Sequence, residues 1–214
     1  MEENIAILMA DLSGYTALTE THGAASAADL IDKYLEIVQS CLAGDCQLKE
    51  RTGDEVMIVS TSPDDLLSTA LMILKKTANE ENFLQVHGGL HYGTVLKRNH
   101  GYFGSAINLT SRIAAKANPS TFWCSADFLE ALDDKSAFMF KSKGKYRFKN
   151  ISEEKEMTEL VNPKATAFLV DPVCRMLILD KTAAYQHPED PDLLFCSEEC
   201  LHTFSNKQPT GLIR

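Results

Sequence analysis

The chain has 214 residues, 44% of them hydrophobic, a net charge of -9 and a pI near 5.1. That supplies enough apolar content for one large domain, or for one medium domain with a small appendage. The acidic balance argues against nucleic acid or an anionic membrane as partner, no apolar run reaches bilayer length, and Met1-Glu2-Glu3-Asn4 lacks the basic start of a signal peptide, so a cytoplasmic protein is expected.

Taken in chain order, Ile5 to Asp11 is an apolar strand that delivers Asp11 at its end, followed by the turn Leu12-Ser13-Gly14-Tyr15-Thr16. Between Ala24 and Leu42 the apolar residues Leu30, Ile31, Tyr34, Leu35, Val38 and Leu42 form the stripe of an amphipathic helix. Cys46 to Arg51 and Glu55 to Ser60 are short strands around Thr52-Gly53-Asp54, a hairpin signal. Ser62 and Pro63 open a second helix that runs to about Asn79, and Leu84 to Tyr92 follows as a strand. Strand, helix, strand, strand, helix, strand is the split βαβ order of a ferredoxin-like α+β fold. In that topology the first strand neighbours the hairpin, so Asp11 and Asp54 are expected to converge where glycines let the chain turn closely around a bound phosphate.

Further strands are expected near Thr94 to Lys97, Thr121 to Cys124, Lys145 to Phe148 and Met157 to Val161, with helices over Ser105 to Ala117 and Ala126 to Leu132. Asn162-Pro163-Lys164-Ala165-Thr166 reads as a linker, which divides the chain into domains 1–163 and 164–214. On the third helix Asn108 and Arg112 lie four residues apart and so share a face, an amide and a guanidinium suited to a ribose and a phosphate. His87 and His91 alternate along a strand and read as structural.

Residues up to about Val161 resemble the class III adenylate and guanylate cyclase homology domain. The resemblance rests on Asp11 with Gly14, Tyr15 and Thr16, on Gly53-Asp54, on the stretch from Gly104 to Arg112, and on Phe148-Lys149-Asn150, all in order. It implies two Mg2+ or Mn2+ ions at Asp11 and Asp54, a nucleoside triphosphate held by the Gly14-Tyr15-Thr16 turn, and formation of a 3',5'-cyclic nucleotide with release of pyrophosphate. It also implies a homodimer with shared active sites, in which Asn108 and Arg112 serve nucleotide held by the other subunit. Lys149 is the candidate for the family's transition-state lysine. By spacing, the base-reading positions fall on Glu50, the residue type of guanylate cyclases, and on Gly101, which fits neither pattern. ATP is the default substrate and GTP the other. The alternative is a catalytically degenerate cyclase-like module that binds nucleotide or senses metal.

Three of the six cysteines, Cys174, Cys196 and Cys200, cluster late in the chain, whereas Cys41, Cys46 and Cys124 are scattered. In a reducing compartment such a cluster points to metal ligation more than to disulfides. Asp171-Pro172-Val173-Cys174-Arg175-Met176 and Phe195-Cys196-Ser197-Glu198-Glu199-Cys200, with Phe204 and Pro209, resemble the YHS metal-binding domain of the TRASH-like group, with Arg175 where that group has glycine. The resemblance and the three thiols imply Zn2+ or Cu+. His187 and His202 are both candidates for a fourth ligand.

Overall fold

Ile5 to Ala10 are all buried, because the strand carrying them is covered on both faces. In the computed structural model, which describes residues 1–98, 101–136, 138–151, 153–161 and 169–207, that strand is β1 (Glu2–Ser13). It is followed by α1 (Tyr15–Gln39), β2 (Gln47–Thr52), β3 (Glu55–Ser60), α2 (Pro63–Thr77) and β4 (Gln85–Arg98). β1 pairs antiparallel with β3 on one side and β4 on the other, and β2 pairs with β3. The order β2-β3-β1-β4 is the four-stranded core that the element order predicts.

Beyond this core lie β5 (Gly101–Phe103), α3 (Ser105–Ala114), β6 (Phe122–Ser125), α4 (Ala126–Glu130), β7 (Phe140–Tyr146) and β8 (Lys155–Leu160). β6 joins parallel to β4, β8 and β7 extend the sheet to that side, and β5 folds back on the end of β4.

The two-residue period of β1 divides its side chains between two cores. Ala6, Leu8, Ala10 and Leu12 meet Leu30, Tyr34 and Val38 of α1 and Leu66, Ala70 and Ile73 of α2. Ile5, Ile7 and Met9 meet Ala106 and Ala114 of α3 on the other face. α3 sits directly on the sheet because Gly89 has no side chain. A Cβ there would lie 2.5 Å from the Ala114 nitrogen and 2.8 Å from the Thr110 carbonyl oxygen.

Three elements differ from their expected bounds. The two strands expected on either side of Gly93 are one, since β1 pairs with β4 continuously from Glu2 opposite Leu96 to Ser13 opposite Gln85. The strand expected at Lys145 to Phe148 is β7, where Gly144 at φ 86° accommodates an irregularity opposite Met157 instead of ending the strand. α1 begins at Tyr15 and kinks at Gly23 (φ 80°, ψ 172°), so the helix expected from Ala24 is its second limb.

The expected linker, with its domain boundary at 163/164, and Pro209 lie outside the described residues. Residues 169–207 form β9 (Leu169–Val170), β10 (Leu177–Ile178), β11 (Tyr185–Gln186), β12 (Leu194–Phe195) and α5 (Glu198–Lys207) around Cys174, Phe195 and Cys200. This unit leans on the larger one. The Leu177 N-H donates to the Phe83 carbonyl at 2.8 Å, and Met176 packs against the α1/α2 core. Among the described residues no helix is long and apolar enough to cross a membrane.

Candidate active site and metal centre

The pairing of Ala10 with Val56 sets the end of β1 beside the β2–β3 turn, where Gly53 adopts φ 63°. Asp11 and Asp54 meet there closely enough to share a hydrogen bond. Burial and then the charge of Asp11 push the Asp54 pKa up to about 6, and burial also raises Asp11. Glu55, which the sequence patterns did not single out, adds a third carboxyl, raised by burial and by Asp54. Paired carboxylate oxygens are hard donors, so Asp11 and Asp54 suit a hard divalent cation, whose charge would favour their ionised form.

His87 stands opposite Asp11 in the β1–β4 register. Its Nε2 is 4.0 Å from Asp11 Oδ2, and its Nδ1 bonds Ser13 Oγ at 2.9 Å. Burial lowers its pKa, so a neutral ring buttresses the aspartate. His91 bonds Ser125 Oγ at 2.8 Å, and burial pushes it down to about 4.

Gly14, at φ 98°, starts α1, and no side chain caps that end. The first-turn N-H groups of Tyr15 and Thr16 are therefore left without a capping side chain, as at helix starts that take an anion. A residue from the C-terminal unit overlies the turn. A Cβ on Gly14 would lie 2.4 Å from Arg175 Cβ, and Arg175 is itself held at φ 70°.

Asn108 is exposed on α3, and Arg112, one turn on, donates to the Lys149 carbonyl. Lys149 is exposed, whereas Lys143 is held by Glu159 at 2.9 Å over the Trp123 ring and Lys155 is 3.8 Å from Asp127. Among the described residues, no hydrogen bond or ion pair links Asn108, Arg112 or Lys149 to Asp11 or Asp54. Asn108, Arg112 and Lys149 are thus not tied to the aspartate pair by any of these bonds. Glu50 and Gly101 come together, for a Cβ on Gly101 would lie 3.2 Å from Glu50 Oε1. They belong to distant stretches of sequence, and the β4–β5 arm accounts for the meeting.

Cys174, Cys196 and Cys200 also converge. Sγ of Cys196 lies 3.3 Å from that of Cys174 and 3.8 Å from that of Cys200. Asp171, fully buried, aligns the two cysteine-bearing loops by accepting from the N-H groups of Val173, Cys174 and Cys196. Neither histidine expected nearby joins the thiols. His187 packs against Phe195 and Phe204, and His202 pairs with Glu198 at 3.6 Å. The histidine beside the thiols is His22 of α1, with Nε2 3.4 Å from Cys200 Sγ and 4.0 Å from Cys196 Sγ. Its distance in sequence and lack of any cysteine motif hid it from sequence reading.

A family model described as the adenylate and guanylate cyclase catalytic domain matches residues 1–162. The chain belongs to this family. An uncharacterized protein of Mycobacterium tuberculosis is 37% identical over 126 residues, 58% of this chain and 33% of that protein. A pH-sensitive adenylate cyclase of the same organism is 28% identical over 130 residues, 61% of this chain and 33% of that protein. The chain thus spans about a third of the length of these curated relatives. In fold it is similar to the adenylyl cyclase CyaB from P. aeruginosa, with a TM-score of 0.65 and 17% identity over 77% of this chain and 97% of that one. The cyclase match ends ahead of the cysteine-bearing unit.

Proposed function

We propose that the chain is a nucleotide cyclase that closes a nucleoside triphosphate to its 3',5'-cyclic nucleotide, with release of pyrophosphate. The observation that carries this reading is the convergence of Asp11 and Asp54 beside the uncapped start of α1. Two Mg2+ or Mn2+ ions held by those aspartates would activate the ribose 3'-hydroxyl and offset the charge of departing pyrophosphate. The N-H groups of Tyr15 and Thr16 bind phosphate oxygens, and the Gly14 turn lets the backbone approach them. Asn108 orients the ribose, while Arg112 and Lys149 stabilise charge that grows on the α-phosphate. The family match supports a homodimer as the working form, in which each site takes the aspartates from one subunit and these three residues from the other.

Glu50 meets the base edge beside Gly101. A carboxylate only accepts hydrogen bonds, so it suits the adjacent N-H groups of guanine and the amino group of adenine. The adenylate cyclase among the relatives makes ATP the first substrate to test, with GTP beside it. A second reading follows from Gly101, which offers the base no side chain: a cyclase-like module that binds nucleotide without turnover. The C-terminal unit is read as a YHS-like metal-binding domain that ligates Zn2+ or Cu+ through Cys174, Cys196 and Cys200, a reading supported by their convergence.

The deciding assay incubates the full chain with Mn2+ and either ATP or GTP, with Asp54→Ala in parallel. Cyclic product from the native chain, lost in the variant, is expected. Absence of product from both nucleotides, with nucleotide still bound, would select the non-catalytic reading.

A further inference from the structure

The first limb of α1, from Tyr15 to His22, is an eight-residue helical segment bounded by two glycines with positive φ, Gly14 and Gly23. Both of its ends are gripped by the C-terminal unit. At one end Arg175 lies against Gly14, and at the other His22 projects among the three thiols. Residue 175 directly follows Cys174, so one short loop carries both a thiol and the residue that overlies the nucleotide turn.

Cys174, Cys196, Cys200 and His22 present three sulfurs and one ring nitrogen, all within 4.8 Å of one another. Tetrahedral zinc, with bonds of about 2.3 Å to sulfur and about 2.0 Å to nitrogen, requires ligand separations of roughly 3.5–3.8 Å. The separations of 3.3, 3.4, 3.8 and 4.0 Å bracket that range. Nε2 faces the sulfurs while Nδ1 lies 3.3 Å from Glu199 Oε2, the outer carboxylate that orients a metal-binding imidazole. His22 is largely buried, with 14% of its side chain exposed, whereas His187 and His202 point elsewhere.

We infer that His22 completes a Cys3His zinc site that spans the two units and clamps the Tyr15–His22 segment, so that metal occupancy fixes the turn facing the nucleotide. The inference deepens the metal-binding reading above and rests on it. Four ligands including an imidazole select zinc over Cu+, which is satisfied by fewer and softer donors. Binding displaces the thiol protons and leaves all oxidation states unchanged. The clamp also gives Arg175 a role, since a glycine at 175 would leave the Gly14 turn uncovered.

The test uses the reduced full chain, titrated with Zn2+ and separately with Co2+. One ion per chain is expected, with the thiolate-to-cobalt and d–d absorption of a four-coordinate site. His22→Ala should bind zinc at least about tenfold more weakly and shift the cobalt d–d bands, because a lost ligand costs no less than a lost outer-shell partner. Glu199→Gln, on an exposed carboxylate that leaves the core intact, should weaken zinc binding in the same direction. His187→Ala and His202→Ala should change neither readout. Hydrogen exchange over Leu12 to His22 should quicken when a chelator strips the native chain and should be insensitive to zinc in His22→Ala. Wild-type affinity and spectrum in His22→Ala, or exchange indifferent to zinc in the native chain, would overturn the clamp. Loss of zinc in Cys200→Ser together with an unaffected His22→Ala would reject His22 alone and leave the three-thiolate reading standing. No zinc in any form would reject both.

Discussion

At Asp54 the chemistry of a site works against stability. Its pKa lies at 3.8 when unfolded and about 6 when folded, so the protonated carboxyl is the form the fold favours. Stability from this preference is fully present below pH 3.8 and is lost as pH rises to about 6. Asp54→Asn should therefore stabilise the metal-free protein at pH 7 to 8 by on the order of 1 kcal/mol once the shift is discounted for partial exposure of the pair, and raise its thermal midpoint accordingly. The gain should vanish below about pH 4, and thermal melts across pH check it. The same variant should lose Mn2+ affinity, since the ion replaces the proton. Asp11 and Asp54 were legible in sequence because each sits where an apolar run meets a glycine turn. Glu55 and His87 were not, because only the pairing of β1 with β3 and β4 places them at the cluster.

At the scale of elements, the position of α3 decides where Asn108 and Arg112 stand. Gly89 permits the helix to touch the sheet, with the Ala114 nitrogen 2.5 Å from where a Cβ would be. Gly89→Ala must push backbone away, and overpacking of this kind costs about 1–3 kcal/mol. A fall in urea midpoint of that size is expected, with a loss of activity larger than that of a surface variant on α4. The helix itself was readable from its spacing, as were the helix N-cap at Ser62 and the order of the core strands. The bounds of β7 and of α1 were misread, because Gly144 and Gly23 act as an irregularity and a kink within elements whose pairing or packing continues past them.

For the whole molecule, the proposed homodimer with shared sites predicts complementation. Asp54→Ala and Arg112→Ala should each be inactive, while an equal mixture should recover roughly a quarter of native activity, because half the dimers are mixed and each mixed dimer keeps one intact site. Recovery should depend on protein concentration, and no recovery would place the aspartates and Arg112 in one chain's own site. The sequence by itself determined the strand and helix order, the two aspartates at glycine turns, the Asn108–Arg112 helix face and the three-cysteine cluster, because each is written in local spacing and residue chemistry. Tertiary structure alone decided that Glu50 faces Gly101, that Arg175 covers Gly14, and that His22 stands among the thiols. These pairs are far apart along the chain, and no local periodicity records which surfaces meet when the two units pack together.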